Sequence, residues 1–409
     1  MAFLDEIPID SQIINPRLLH EHNLHAVLAR ILNEQPVSRA SLAQQMNTTR
    51  SSITVLFREL ESAGYVVELG EGSVGENGGR KPVMVAINDD YGYSVSIDFG
   101  IHEMLIVSND LSGHVLTFHK SNTDGKSIES ILDMIENQLK MLKSQDQTDH
   151  GLLGLSFVIH GPVVDNQVIN SPFLDMHDLD LAAYFEERYH VQVIQENEAN
   201  LVAICARDFH SNPGQTRNLL AISIHRGLGA GTIANHQLYH GDGGGAGEIG
   251  HVIATSKDNQ QMSYKAEDFC SEEAVVKKVL GRRIVSQLNR DKIASLYQQH
   301  DTKTVKVLNE FTAHLAQLII NSSKYYDPDQ IFISSCLIDT IPSLLSDINR
   351  QYRDRLSEQL LPIPIIQMRR AEFSSIWGAF SLITRRVLNL EHAELMFHRP
   401  SDNGMCTEK

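Results

Sequence analysis

A glycine-rich segment constrains the fold of this chain more than any other part of its sequence. Residues 227–251 read GLGAGTIANHQLYHGDGGGAGEIGH, a spacing typical of a strand–turn–strand that passes close to another group. Only glycine lets backbone amides approach a ligand without a Cβ in the way. The segment ends in Glu248 and His251, so a carboxylate and an imidazole follow the glycine frame. This arrangement favours a small polyhydroxylated ligand, and a flexible glycine-rich hairpin is the alternative.

The length of 409 residues is large for one hydrophobic core, so we expect two or three domains. No apolar run approaches the roughly 18 residues of a membrane span. The first ten residues carry acids where a signal peptide needs basic residues, so we expect a cytoplasmic protein without membrane insertion. The four cysteines lack paired spacing, which fits a reducing compartment.

The net charge of −16 argues, as an average, against a nucleic-acid partner. The charge is unevenly distributed, however, because residues 14–88 contain seven basic and seven acidic side chains and are therefore neutral. A neutral module on an acidic body can still bind DNA if its basic residues share one face.

The pattern before residue 65 predicts three helices. Apolar residues at helical spacing indicate a first helix that ends near Gln35-Pro36. Ser38 is suited to cap a second short helix, RASLAQQM, and Thr49 to cap a third, which Gly64 closes as C′ residue. Two short helices joined by a tight turn form a helix-turn-helix, whose second helix presents its first residues to the major groove.

The next segment predicts a β-hairpin wing. Tyr65 to Glu68 and Val83 to Ile87 form its strands, with two cations at its base that can reach phosphates or a minor groove. A module of three helices and a hairpin that contacts protein instead of DNA is the alternative. The residues predicted to contact DNA are Ser38, Arg39, Thr49, Arg50, Ser51, Ser52, Thr54, Arg58, Arg80 and Lys81.

From Tyr93 the pattern changes to strands, followed by a helix from about Ser127 to Lys143. One later strand leads into His160-Gly161-Pro162, and another into the sequence ENEAN at residues 196–200. Two such lobes of hairpin and helix that face each other would enclose a cleft.

The order G-x-G-x-G and then AGEIGH, together with ENEAN and the winged helix, resembles the ROK family, which groups bacterial sugar kinases with sugar-responsive repressors. The repressors carry a winged helix, and the kinases lack it. The resemblance covers essentially the entire chain. It implies an α/β protein with a winged helix-turn-helix at residues 1–88 and a two-lobed, actin-like body. The first lobe would span 89–196, completed by about 374–409, and the second 197–373, with sugar-binding motifs and dimerisation helices.

The resemblance also implies a sugar site made of Gly161, Asn197, Glu198, Glu248, His251 and Glu272. Glu198 stands where the kinases have the Asp that acts as general base, and it is one methylene longer. Proton abstraction tolerates a misplacement of about 1 Å poorly, so we expect sugar binding without catalysis. Phe173 replaces an Asn found in many relatives, which implies altered sugar contacts.

Two further family features are altered. The phosphate loop of the kinases, Asp-x-Gly-Gly-Thr, is here Asp98–His102 with bulky residues after its glycine, and the glycine run on the adenosine side is Ser334–Leu337. We therefore expect no enzyme activity. The family's structural zinc needs the His of GEIGH and three cysteines. Between His251 and Cys270 there is no cysteine, so we expect no metal or other cofactor.

The sequence thus predicts a sugar-responsive repressor of carbohydrate-use genes. Its partners would be operator DNA, a sugar or sugar phosphate, and further copies of the chain in a homodimer or tetramer. Apolar helices around 311–320 and 374–388 would carry the dimer contacts or pack against the DNA module. Two alternatives remain: an active sugar kinase with an accessory DNA-binding domain, and a repressor controlled by a phosphotransfer-system protein.

Overall fold

The computed structural model describes residues 15–72, 81–171, 179–211, 216–254, 264–281, 288–357 and 361–397. The chain divides into two compact units. The first contains Met1–Tyr91 and Asn389–Leu395, and the second contains Gly92–Leu388 and Met396–Lys409. Within the described ranges, no helix is both long and apolar enough to cross a bilayer.

The first unit consists of three helices and a small antiparallel sheet. Its elements are α1 (Pro16–Glu34), β1 (Val37–Ser38), α2 (Arg39–Gln45), α3 (Arg50–Ser62), β2 (Val66–Glu71) and β3 (Val83–Ile87), with strand order β1-β3-β2. The predicted caps are confirmed, because Ser38 and Thr49 accept hydrogen bonds from backbone amides of the helices that they precede. Gly64 has the positive φ of 84° expected of a C′ residue.

The core of this unit lies between α1, α2 and α3. Val27, Ile31, Leu42, Ile53 and Phe57 are buried there. The returning segment Asn389–Leu395 belongs to the same unit, where the side-chain amide of Asn33 donates a 2.8 Å hydrogen bond to the carbonyl of Glu394.

The second unit contains two five-stranded sheets of the same design. The first sheet has the order β10-β7-β4-β5-β6, and the second has the order β13-β12-β11-β16-β17. In each, three antiparallel strands continue into two parallel ones. The strands of these two sheets are β4 (Tyr93–Phe99), β5 (Glu103–Asp110), β6 (Val115–Asn122), β7 (Leu152–Ile159), β10 (Gln192–Asn197), β11 (Leu219–Ile224), β12 (Leu228–Ala234), β13 (Gln237–Leu238), β16 (Gln330–Ser335) and β17 (Ile365–Met368). Two separate two-stranded sheets consist of β8 (Val163–Val164) with β9 (Gln167–Val168), and of β14 (Ile253–Ala254) with β15 (Tyr264–Lys265).

Helices cover both sheets. They are α4 (Ile128–Gln145), α5 (Leu181–Tyr189), α6 (Glu198–Cys205), α7 (Glu267–Cys270), α8 (Glu272–Leu280), α9 (Arg290–Gln298), α10 (Thr302–Tyr326), α11 (Cys336–Thr340), α12 (Ser343–Arg355) and α13 (Ser374–Val387). The helix predicted from about Ser127 is confirmed as α4, which Ser127 caps.

Helices α6 and α13 form the middle of the second unit. Helix α13 packs on β4 and β7 of the first sheet, α6 packs on β11 and β12 of the second, and the two helices pack on each other. The contact is very close at Gly378, where a Cβ would lie 1.9 Å from the carbonyl oxygen of Leu201. The order of layers is therefore sheet, α13, α6, sheet.

A buried ionic cluster ties the end of α6 to α13. Asp208, in the π-helical turn Ala206–His210, is fully buried and accepts hydrogen bonds from Arg207 (Nε, 2.7 Å), Arg385 (Nη2, 2.8 Å) and the hydroxyl of Ser381. Burial by itself would raise the pKa of this carboxyl, but the charges of Arg207 and Arg385 outweigh burial and hold the pKa far below its usual 3.8.

The structure corrects one expectation about the C-terminal helices. Phe311, Leu315 and Ile319 of α10 belong to the hydrophobic core of the second sheet. In α13, Ile376, Phe380 and Ile383 are likewise buried within the body. These apolar residues stabilise their own chain, so they are not available as the apolar contacts of a dimer.

Candidate functional site

A cleft of about 1090 Å³ lies in the second unit, where strands from both sheets end. Its walls come from the carboxyl ends of β4, β7, β10 and β11 and from the start of α6, the position at which α/β sheets bind ligands. Five of the six residues predicted for the sugar site line it, namely Gly161, Asn197, Glu198, Glu248 and His251.

The side-chain amide of Asn197 connects the start of α6 to Gly161, which follows β7. It ends β10 and caps α6, because its Oδ1 accepts hydrogen bonds from the amides of Ala199 (2.9 Å) and Asn200 (3.3 Å). Its Nδ2 donates to the carbonyl of Gly161 at 2.9 Å. The amide group has a second N–H, which can be offered to a ligand.

Glu198 is held as a hydrogen-bond acceptor. Its Oε1 accepts from the hydroxyl of Ser223 at 2.8 Å and lies 3.6 Å from Nε2 of His225. Ser223 and His225 also line the cleft and were not among the residues predicted for the sugar site. The available signal was the S-x-H alternation at the end of β11, directly before the glycine-rich segment.

A second missed pair lies on the cleft wall at the start of the altered phosphate loop. Nε2 of His160 is 2.8 Å from Oδ1 of Asp98, whose Oδ2 accepts from the hydroxyl of Ser375 at 3.2 Å. Burial alone would lower the pKa of His160, but the negative charges of Asp98 and Glu198 outweigh burial and raise it. The pair therefore offers the cleft a polar group that is fixed in orientation.

Glu248 and His251 form the open side of the cleft. Nδ1 of His251 lies 4.0 Å from Oε2 of Glu248, and its Nε2 lies 3.7 Å from Oε1 of Glu267. Both predicted side chains are about half exposed. They are therefore accessible to a ligand that enters the cleft.

The glycines of this segment that line the cleft, as expected, are Gly227, Gly229, Gly244 and Gly247, and two glycines of the segment also have a packing role. A Cβ at Gly231 would lie 2.5 Å from the carbonyl oxygen of Ala199, and one at Gly247, where φ is +90°, would lie 1.8 Å from that of Ala230. The close neighbour at both positions is the protein's own backbone. These glycines let β12 pack on α6 and let the loop that carries Glu248 pack on β12.

Glu272 differs from the other predicted sugar ligands. Its side chain is 1% exposed and accepts hydrogen bonds from the hydroxyl of Ser335 (2.9 Å), the amide of Leu337 (2.8 Å) and Nε of Arg290 (2.6 Å). It is absent from the cleft lining. The expectation of a direct sugar contact is therefore not supported, because both carboxylate oxygens bind the protein itself.

The same carboxylate occupies the start of α11, where the kinases of the resembled family have glycines on the adenosine side. Ser335 ends β16 and caps α11, and Leu337 supplies a backbone amide that already has an anionic partner. In the altered phosphate loop, Nδ1 of His102 is hydrogen-bonded to the carboxylate of Asp124. In both segments, the phosphate loop and the adenosine-side segment, polar groups are therefore bonded to other groups of the chain.

The residues present fit the family's zinc site poorly. A cysteine binds zinc as a thiolate, and burial raises the pKa of Cys270 to about 12. In the described part of the chain, neither His251 nor Cys270 belongs to a group of three potential metal ligands.

In the first unit, the predicted DNA contacts fall into two groups. Ser51 and Ser52 lie at the exposed start of α3, their hydroxyls bonded to that of Thr49 at 2.7 and 2.9 Å. Arg50 and Arg58 are exposed and form no ion pair with any described residue. The hydroxyls of Ser38 and Thr49 cap helices, and that of Thr54 donates to the carbonyl of Arg50.

Arg39 differs from Arg50 and Arg58, which are also predicted to contact DNA, because it is bonded within its own unit. Its Nη2 lies 2.9 Å from Oε1 of Glu68, and its guanidinium lies 5.2 Å from the centre of the Phe57 ring. Lys81 is exposed, 3.8 Å from Glu71. Arg80 and Phe173 lie outside the described residues. Arg39 is thus held by its own unit, whereas Arg50 and Arg58 are accessible.

Comparisons with known proteins agree with these features. A model of the ROK family matches residues 94–386. The chain is 37% identical over 389 residues to a xylose repressor of Lactiplantibacillus pentosus, a match that covers 95% of this chain and 99% of that protein. It is 30% identical to a xylose repressor of Staphylococcus xylosus, over 91% of this chain and 97% of that protein.

Solved structures show the same fold. A ROK family transcriptional regulator, a homologue of the E. coli MLC protein, matches with a TM-score of 0.72 at 21% identity, over 91% of this chain and 98% of that one. A ROK family glucokinase from Streptomyces griseus, solved with glucose and AMPPNP, matches with a TM-score of 0.60 at 20% identity, over 71% of this chain and 99% of that one. The body therefore has the actin-like fold of the ROK sugar kinases, with mixed α/β sheets.

Proposed function

The chain belongs to the ROK family, and from this we propose that it is a transcriptional repressor of carbohydrate-use genes that responds to D-xylose. One observation carries the proposal: the 37% identity to a protein named xylose repressor extends over 95% of this chain and 99% of that protein. Such a match includes both the N-terminal unit and the body.

The N-terminal unit is proposed to be the winged helix-turn-helix that binds the operator. Helix α3 follows α2 after a short turn and exposes Arg50, Ser51 and Ser52 at its start, the part of a recognition helix that reads base edges. Strands β2 and β3 would form the wing, with Lys81 at its base. Arg50 and Arg58 supply cations that no described acid neutralises.

The cleft is proposed to bind the sugar. Asn197, Glu198 and Ser223 lie on one wall with His225, while Glu248 and His251 lie at the open side. A sugar hydroxyl both donates and accepts, so carboxylates, imidazoles and an amide together can pair with several hydroxyls at once. The groups that hold Glu198 and Asn197 in place reduce the entropy lost on binding.

The protein is proposed not to be an enzyme. Glu198 carries one methylene more than the Asp of the kinases and is already bonded to Ser223. The start of α11 has an internal carboxylate partner in Glu272. We expect no phosphorylation of D-xylose with ATP in the wild type, nor in a Glu198→Asp variant, since that change leaves Glu272 and His102 in place. Phosphoryl transfer by the wild type would instead support a sugar kinase with a DNA-binding domain.

Repression is proposed to require at least a dimer. One winged helix covers too few base pairs for genomic selectivity, and two-fold protein symmetry calls for two half-sites. Light scattering at micromolar concentration measures the assembly directly, and a monomer that binds a two-fold symmetric duplex tightly would contradict this part of the proposal.

The central experiment measures sugar and DNA on the full chain together. A duplex is first selected from a random-sequence pool by the protein, and its binding is followed by fluorescence anisotropy with and without D-xylose, L-arabinose and D-glucose. We expect D-xylose to weaken DNA binding, and the duplex to weaken D-xylose binding by the same factor, since coupling between two sites is reciprocal. The absence of any selected sequence would refute the repressor, and equal responses to all three sugars would refute the choice of D-xylose.

A further inference from the structure

Val55 is the exception among the apolar residues of α3. The helix contains five apolar side chains, of which Ile53, Leu56, Phe57 and Leu60 are buried in the core of the N-terminal unit. Val55 is 62% exposed. An exposed β-branched residue lowers helix propensity slightly and leaves apolar surface in water, so nothing in the fold of this unit calls for valine at this position.

The position of Val55 on the helix is specific. At 100° per residue, Ser51, Val55, Arg58 and Ser62 lie in one stripe, directly opposite the buried stripe of Ile53, Leu56 and Leu60. All four outward residues are exposed. The outward stripe of a recognition helix is the part that inserts most deeply into the major groove.

The neighbours of Val55 leave it accessible between polar groups. Glu59, four residues later, has its carboxylate 2.7 Å from Nε2 of His20 on α1. Ser51, four residues earlier, is bonded to the hydroxyl of Thr49. Arg58, three residues later in the same stripe, forms no ion pair with a described residue. A small apolar patch thus lies beside an uncompensated cation.

We propose that Val55 contacts the C5-methyl group of a thymine and so determines one position of the operator sequence. The inference rests on the proposed DNA-binding function. In the major groove the thymine methyl is the apolar group among hydrogen-bonding edges, and contact with it distinguishes thymine from the other bases. Arg58 beside Val55 and the exposed Arg50 at the start of the helix favour a polyanion as the occupant of this surface over an apolar protein partner.

The test removes methyl groups from each side of the contact, one from thymine and the two γ-methyls from Val55. In the duplex selected by the full-length protein, each thymine is replaced in turn by deoxyuridine, which lacks only the C5-methyl. At one position per half-site we expect the wild type to bind about threefold to fivefold more weakly, the factor for one buried methyl. Val55→Ala should bind the thymine duplex more weakly by a similar factor, and it should no longer respond to deoxyuridine at that position.

Control variants make the outcome decisive. Leu18→Ala removes a side chain of similar exposure (63%) from α1 and should keep the wild-type response to every replacement. Val55→Thr retains one methyl and should keep part of the response, which covers the case in which the alanine variant binds too weakly to measure. If Val55→Ala keeps the full deoxyuridine penalty, the assignment of Val55 is wrong and the DNA-binding function stands. If the wild type selects no sequence at all, the proposed function itself fails.

Discussion

The Nε atom of Arg290 lies 2.6 Å from Oε2 of Glu272, and this carboxylate also holds the first turn of α11 through Ser335 and Leu337. Three segments that are distant in sequence meet at one buried group. Burial by itself would lower the pKa of Arg290, but the charge of Glu272 outweighs burial and raises that pKa.

Replacement of Glu272 by Gln should destabilise the body. The change removes a charge on which Arg290 and two hydrogen-bond donors depend, and we expect a loss of about 2–3 kcal/mol in the free energy of unfolding. Urea titration measures it. The neighbouring Glu273→Gln is the matched control, because Glu273 pairs with Lys277 and Arg226 nearer the surface, where a pair contributes about 0.5 kcal/mol. Equal losses in the free energy of unfolding would show that the buried pair stabilises the protein no more than the pair nearer the surface.

The acid stability of the protein should depend on Asp208. The folded-state pKa is depressed, so the stabilisation is fully present above the unfolded value near 3.8 and is lost as the pH falls toward the folded value. Below about pH 4 this one group makes stability fall by about 1.4 kcal/mol per pH unit. Asp208→Asn should be less stable at neutral pH and should show a shallower decline between about pH 4 and pH 3.

Urea midpoints across this pH range measure the Asp208 effect. Asp133→Asn, at an exposed position on α4, is the control and should follow the wild type. A decline as steep in Asp208→Asn as in the wild type would mean that other groups cause the acid sensitivity.

Sugar sensing should depend on Glu248. Glu248→Ala removes a half-exposed acceptor at the open side of the cleft, and we expect D-xylose binding to weaken by about 1–2 kcal/mol. Calorimetric titration of the sugar measures this loss, while the affinity for DNA without sugar should stay at the wild-type value. Asp242→Ala removes a carboxylate from the same loop outside the cleft lining and should change neither. Normal induction of the Glu248 variant by the same sugar would place the sensor elsewhere.

Two arginines of the N-terminal unit should behave differently. Arg50→Ala should cost about 1–3 kcal/mol in DNA affinity if Arg50 reads a base, without loss of stability. Arg39→Ala should instead lower stability by about 1 kcal/mol, because its guanidinium contacts Glu68 and the Phe57 ring. Anisotropy and thermal unfolding separate the two effects. A uniform loss with a shallower salt dependence would assign Arg50 to a phosphate, and an unchanged affinity would remove α3 from the interface.

The local signals in the sequence predicted the elements well. Ser38, Thr49 and Ser127 cap the helices expected of them, because capping depends on residues only two or three positions away. Asn197 and Glu248 line the cleft as predicted, and the reason is similar: each lies in a short motif at the end of a strand or of a glycine-rich turn.

The errors came from contacts that no local pattern contains. The carboxylate of Glu272 turns inward because of Arg290, 18 residues away, and Ser335, 63 residues away. Gly231 belongs to the segment expected to pass close to a ligand, but it is absent from the cleft lining and its close neighbour is Ala199 on α6. The apolar residues of α10 and α13 were expected to carry dimer contacts or to pack against the DNA module, and those described above are buried in the body's own core.

The backbone contact of α6 with α13 at Gly378 has a mechanical consequence. No side chain lies between the helices at that point to absorb a displacement, so a shift of the start of α6, where Asn197 and Glu198 are, is passed on to α13. Helix α13 ends at Val387, and the chain enters the N-terminal unit at Asn389. With only Leu388 in between, the chain thus returns to the N-terminal unit directly after the helix whose backbone contacts α6.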